Sequence, residues 1–99
     1  MPYTVIVQMD PIDPELLAQY RPLALAPILA HGGQVLAAGP HEVLEDTQGG
    51  PLGTVVLRFP TEEAAKGWFN DPEIAEIHAM RNKAAKSTIT LYPEFQVPS

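Results

Sequence analysis

Thr54-Val55-Val56-Leu57-Arg58-Phe59-Pro60-Thr61-Glu62-Glu63-Ala64-Ala65-Lys66-Gly67-Trp68-Phe69 decides the fold, because its apolar period changes halfway along. Up to Phe59 the spacing is two. Val55, Leu57 and Phe59 share one face, and Thr54, Val56 and Arg58 share the other, as a strand requires. Pro60-Thr61-Glu62-Glu63 then opens a helix, with Thr61 as N-cap and two acids set against the positive end of the helix dipole. Ala64, Ala65, Trp68 and Phe69 follow at helical spacing and form its buried stripe. This is a strand feeding straight into an amphipathic helix.

Working outward, Asp71-Pro72-Glu73 is another helix start and predicts a helix to about Lys86. Thr88 to Tyr92 reads as the last strand, and residues 93–99 as a short tail. Upstream, Asp46 to Gly53 is a connecting loop with three glycines and a proline. Gln34 to Ala38 is a short strand, continued by His41 to Glu45 after the Gly39-Pro40 interruption. His31-Gly32-Gly33 ends a helical segment, since glycine takes the left-handed C-cap conformation at little cost. That segment starts at Asp13-Pro14-Glu15 and turns Leu16, Leu17, Tyr20, Leu23, Ala24 and Ile28 toward the core. Pro22 and Pro27 each remove a backbone donor, which predicts two helical pieces with a kink near Arg21-Pro22. The first strand runs from about Tyr3 to Asp10, with Tyr3, Val5, Val7 and Met9 on one side.

The order is βαββαβ, an α+β ferredoxin-like arrangement: a four-stranded antiparallel sheet with its helices on one face. Residues 1–99 form a single domain, with a core over about 3–92. The other face of the sheet carries Thr4, Ile6, Gln8, Thr54, Val56, Arg58, Thr88, Thr90 and Tyr92. It is too apolar to be plainly solvated and too polar to be a core. Packing it on a second copy gives a two-fold homodimer. The alternative is a monomer with a wet, threonine-rich sheet.

Composition narrows the function classes. A chain of 99 residues buries only about 60–65% of its unfolded surface, so a partner subunit would help it. The absence of cysteine excludes disulfides and thiolate chemistry, and fits a reducing, cytoplasmic home. A net charge of −6 with six Lys and Arg argues against nucleic acid, where phosphate neutralisation supplies most of the affinity. The apolar run Leu23 to Ala30 is too short for a membrane span, and no signal peptide is expected ahead of Tyr3.

Phe59-Pro60-Thr61-Glu62-Glu63-Ala64-Ala65, Trp68-Phe69-Asn70-Asp71-Pro72-Glu73 and Arg81 resemble an uncharacterised bacterial family, domain-of-unknown-function family thirteen-thirty. Asp13-Pro14-Glu15, Tyr20, His31-Gly32-Gly33 and Glu42-Val43-Leu44-Glu45 extend the resemblance over Thr4 to Tyr92. It implies a dimeric α/β barrel of ferredoxin-like subunits and brings no reaction with it. Related branches include cofactor-free monooxygenases, isomerases and haem enzymes, so fold likeness does not choose among them. Family members often carry two arginines and a tyrosine in the second strand. Here that stretch is Gln34-Val35-Leu36-Ala37-Ala38, so any ligand role of those side chains is not carried over.

The last helix holds the residues that bear on chemistry. Ile74, Ile77, His78, Arg81 and Ala85 fall within a sector of about 100°, which sets two polar groups in the stripe that faces the sheet. A buried guanidinium needs either a protein carboxylate or a bound anion. Asp10, Glu42 and Glu45 are the carboxylates open to Arg81; snorkelling from the helix edge is the other bland outcome. His78 beside it is the candidate proton carrier, or a satisfied, partly buried histidine. Trp68, Tyr20 and His41 complete the candidate substrate-binding set, though Trp68 and Tyr20 also read as core. His31 reads as a dipole partner at a helix C-terminus. His31, His41 and His78 lack metal-ligand spacing, and neither a nucleophile elbow nor a phosphate loop is present, so no cofactor is expected.

Two readings of function follow. In one, the chain binds a small acidic or enolisable molecule in a helix–sheet pocket, as a cofactor-free enzyme of monooxygenase or isomerase type. In the other it is a non-catalytic metabolite-binding or dimeric interaction protein. The sequence leaves open whether it is an enzyme.

Overall fold

The computed structural model describes residues 1–50 and 53–98. Pro51 and Leu52, within the expected loop, and Ser99 of the expected tail lie outside the described residues. The elements are β1 (Tyr3–Pro11), α1 (Pro14–Ala30), β2 (Gln34–Ala37), β3 (Gly53–Phe59), α2 (Glu62–Asn70), a 3₁₀ turn (Pro72–Ile74), α3 (Ala75–Ala84) and β4 (Ala85–Pro93). The strands form one antiparallel sheet in the order β2-β3-β1-β4. This is the expected α+β, ferredoxin-like arrangement.

Register sorts the two faces. Val5 lies opposite Leu57 and Leu91, and Val7 opposite Val55 and Ile89. With Phe59, Leu17, Tyr20, Ile28, Ala65 and Trp68 they build the core under the helices. One residue along, Thr4 opposes Arg58 and Tyr92, Ile6 opposes Val56 and Thr90, and Gln8 opposes Thr54 and Thr88. Among the described residues no helix covers this second face. Arg58 and Glu94 pair across it at 3.0 Å, both half-exposed.

The helix starts form as the sequence dictates. Asp13 accepts from Leu16 N at 3.1 Å, Thr61 from Ala64 N at 3.0 Å and Asp71 from Glu73 N at 2.9 Å. Three expectations about where the elements run fail. First, α1 is one helix across Pro22 and Pro27, not two pieces. The carbonyls that lose their donors belong to Ala18 and Leu23, and both residues are exposed, so water replaces the missing bonds. Leu23, expected in the core, is 44% exposed for the same reason: it lies on the outer side. Second, His41 to Glu45 forms no strand. Pairing of β2 with β3 already shifts register between Val35 and Ala37 and stops there. Third, the last helix ends at Ala84, and Ala85 starts β4 opposite Pro11. Helix-favouring Ala84-Ala85-Lys86 is overridden by two backbone donors, Ile12 N (2.8 Å) and Asp13 N (2.9 Å), which converge on the Ala84 carbonyl.

At the other end of α1 the turn is built as expected around His31-Gly32-Gly33. Gly32 has φ +77, its N–H bonds Leu29 O at 3.0 Å, and Gly33 N bonds Ile28 O at 2.8 Å, a Schellman closure. Gly33 has no room for a side chain. A Cβ there would meet Phe59 Cε1 at 2.7 Å, Ile28 Cγ2 at 2.8 Å and the Ile28 carbonyl oxygen at 2.9 Å. Gly33→Ala should therefore destabilise by about 1–3 kcal/mol, the range for overpacking. Urea unfolding should show a lower midpoint. A change below about 0.5 kcal/mol would mean that the α1–β2 turn yields and does not clamp Phe59.

Candidate functional site

Arg81 is 2% exposed, the lone charged residue in the buried set among the described residues. It is placed by α3, whose inward stripe also carries Ile77 and His78. No carboxylate among the described residues forms an ion pair with it. The ion pairs recorded among the described residues are His31–Asp71, Arg58–Glu94 and Lys66–Glu62. Glu42 and Glu45 lie in the exposed loop. The Arg81 guanidinium bonds His78, with Nη1 2.8 Å from Nδ1, and its Nε is buried with no partner among the described residues.

That contact fixes the state of His78. A guanidinium only donates, so Nδ1 must be the acceptor and the ring proton sits on Nε2. Nε2 then donates to the Trp68 carbonyl at 3.3 Å, close to the C-terminal end of α2, where the last carbonyls lack helical partners. The imidazole stands edge-on to the Trp68 ring (centroids 5.1 Å apart, 82°) and tilted against Phe69 (5.6 Å, 41°). Burial, and then the neighbouring Arg81 charge, hold its pKa below the ordinary 6.5, against the pull of the Trp68 carbonyl and of Asp71. Asp71 sits at the junction of α2 and the 3₁₀ turn and takes Nε2 of His31 at 2.8 Å, which with the Glu73 N–H draws its carboxyl below the usual range.

The sign of the pH effect follows from a depressed histidine. The folded chain refuses a proton that the unfolded chain accepts, so this stability is complete above pH 6.5 and is lost as pH falls below it toward the folded pKa. Asp71, Glu62 and Asp46, all lowered, add a separate loss that starts only near the ordinary carboxylate range. Urea midpoints should fall between pH 7.5 and 5.5, and His78→Gln should flatten that slope. Equal slopes in the two proteins would assign the effect elsewhere.

Of the five candidate residues, the structure brings together Trp68, His78 and Arg81. Tyr20 is buried in α1, and His41 stands exposed in the loop after β2; the hydrogen-bond and ring contacts of the cluster include neither. His31 is the C-cap residue of α1, and its side chain ties that end of the helix to Asp71. Sequence reasoning missed Phe69 as a ring partner of His78, and missed the Trp68 carbonyl. The first was legible in retrospect from the Trp68-Phe69 pair. The second, a backbone atom, has no signature in a side-chain pattern.

Next to this cluster a hollow of about 100 Å³ lies between α2 and the sheet, lined by Ala65, Lys66, Trp68 and Phe69 on one side and by Val5, Ile89 and Leu91 on the other. Trp68 belongs to both the hollow and the polar cluster. A second hollow of about 220 Å³ near Gly32 and Pro60 has Gln34 and Arg58 as its polar side chains.

Comparison with known proteins bears on the fold. A protein of unknown function from Rhodopseudomonas palustris superposes with a TM-score of 0.72 at 16% identity, covering 97% of this chain and 84% of its own. A Mycobacterium tuberculosis protein gives 0.60 at 18% over the whole of both chains. SnoaB from Streptomyces nogalater, a cofactor-independent oxygenase, gives 0.60 at 9%, covering 97% of this chain and 93% of its own. No curated protein matches. Among the described residues no helix is long and apolar enough to cross a membrane. At these identities the likeness is one of fold alone. A family model, by contrast, matches residues 3–95 directly, and the chain belongs to the family described as a domain of unknown function (DUF1330).

Proposed function

We propose that this chain binds a small acidic or enolisable molecule beside Arg81, as a homodimer closed through the open sheet face, in the cytoplasm. One observation carries the reading: a guanidinium that cannot lose its charge is buried with an unused Nε donor and, among the described residues, no carboxylate ion pair. Such a group is expensive to keep unless an anion completes it. SnoaB lends support to an oxygenase-type chemistry without a cofactor, through fold alone. Chemistry of that kind forms a substrate anion, and Arg81 supplies the charge to stabilise one. His78 has both nitrogens engaged, so as a proton carrier it must first release Arg81 or the Trp68 carbonyl.

The test is a screen of small carboxylates and quinols, following binding by thermal shift and turnover by oxygen uptake, with wild type and Arg81→Ala. Turnover lost in the variant makes the chain an enzyme. Binding lost without turnover makes it a carrier or sensor. Neither binding nor turnover leaves an interaction protein, a reading favoured by the small volume of the hollow. Pairing through Ile6, Val56, Thr90 and Tyr92 has a separate check. Light scattering at micromolar concentration should give twice 10.8 kDa, and a 10.8 kDa species would remove the homodimer.

A further inference from the structure

The edges of the Arg81 guanidinium are not equivalent. His78 takes a proton of Nη1. Whichever Nη1 proton that is, His78 leaves the side-on edge made by Nε–H and the adjacent Nη2 proton untouched, because Nη1 lies on the opposite side of the group next to Cδ. Nε is the buried atom without a partner. Two parallel donors in one plane match the two oxygens of a carboxylate.

Charge narrows the class further. With His78 neutral and Lys66 paired with Glu62, the site holds one unpaired positive charge, that of Arg81. A monoanion cancels it, whereas a dianion such as phosphate would leave a buried negative charge. Asp71, ionised and near His78, opposes a second negative charge again. The adjoining hollow is lined by apolar side chains and by Lys66, whose ammonium is paired with Glu62 at 2.7 Å; its volume of about 100 Å³ is the share of roughly three liquid waters. It suits a compact apolar body.

Resting on the anion-site reading above, we propose that the ligand is a small monocarboxylate gripped side-on along the Nε–Nη2 edge of Arg81. His78 is its positioning residue: by accepting from Nη1 it turns that edge outward from α3. The groups around His78 are Arg81 on its own helix, the Trp68 carbonyl and Phe69 ring from α2, and Asp71, which is itself held by His31 of α1.

The test reads the Arg81 Nε–H directly by nitrogen-15 NMR of the intact protein, titrated with acetate and benzoate and, at matched ionic strength, with phosphate and chloride. The carboxylates should shift that signal saturably, and phosphate and chloride should leave it in place. Arg81→Lys, a point charge without a fork, should bind acetate about tenfold more weakly or worse. His78→Gln, which keeps an acceptor, should retain the preference for acetate over phosphate; His78→Phe should lose it, a ratio that a merely structural role would not move. Equal shifts with acetate and phosphate would overturn the carboxylate assignment and leave an anion site. An Nε–H signal unmoved by every probe would overturn both. The wild-type titration needs no variant, so it decides even if a substitution prevents folding.

Discussion

Phe59→Ala is expected to lower the unfolding free energy by about 3–5 kcal/mol, the range for deleting a buried phenyl ring. The side chain has 0% exposure and sits where three elements meet. Its backbone closes β3 opposite Tyr3 of β1. Its ring lies 5.6 Å from that of Trp68 in α2, and its edge fills the place a side chain would need at Gly33 after α1. The glycine turn and the strand cannot collapse into the vacated space without breaking either the Schellman closure or the sheet register, so relaxation is limited and the cavity term stays large. A chain of this length has about 5–15 kcal/mol in total, and a small domain belongs near the low end. The variant should therefore be largely unfolded at 37 °C, with a steep fall in the urea midpoint followed through Trp68 fluorescence at fixed protein concentration. Phe59→Leu, which refills most of the volume, should lose far less. If Phe59→Ala cost under 1 kcal/mol, the core would not be organised around this wedge.

The same ring links core to site. Phe59 packs on Trp68, the Trp68 ring meets His78, and the Trp68 carbonyl fixes the tautomer that receives Arg81. Trp68 thus does two things from one position in α2, and core substitutions should be felt at the polar cluster.

Much of this arrangement was legible before any coordinates. Asp13, Thr61 and Asp71 announce their helices because a cap is a local interaction, settled within three residues. The inward turn of Arg81 follows from helical spacing against Ile74 and Ile77, which depends only on α3 being a helix. What failed was decided by distant groups. Pro22 and Pro27 are tolerated because the outer side of α1 faces water, and no local rule says which side that is. Ala85 joins β4 because Ile12, Asp13 and Pro11 are waiting for it from the other end of the chain. Phe69, read as part of the buried stripe, is 50% exposed since Trp68 occupies the space beneath α2. For Arg81 the carboxylates at hand in the sequence suggested a salt bridge; the loop that carries Glu42 and Glu45 keeps them in solvent instead.

Arg81→Met should make the ligand-free protein more stable, by about 1–4 kcal/mol, while abolishing binding of carboxylates. The balance of magnitudes sets the sign. Against the substitution stands one charge-assisted hydrogen bond, to His78, worth about 1.5–3 kcal/mol. In its favour stands the release of a fully desolvated guanidinium with an unused Nε, a penalty of several kcal/mol per ion even after relaxation. Methionine keeps the length of the apolar stem and adapts to irregular gaps, so little cavity is added, and His78, half-buried, can turn its freed Nδ1 to water. For a domain of this size each kcal/mol moves the melting temperature by about 4–8 °C, so the rise is measurable by calorimetry. Arg58→Met is the control, since that half-exposed pair with Glu94 should change stability by no more than about 1 kcal/mol. A stability gain paired with lost binding is the signature of a group kept for its ligand rather than for the fold. Should Arg81→Met instead destabilise by more than about 1 kcal/mol, the guanidinium is satisfied from within the chain, and the case for an anion at this position falls with it.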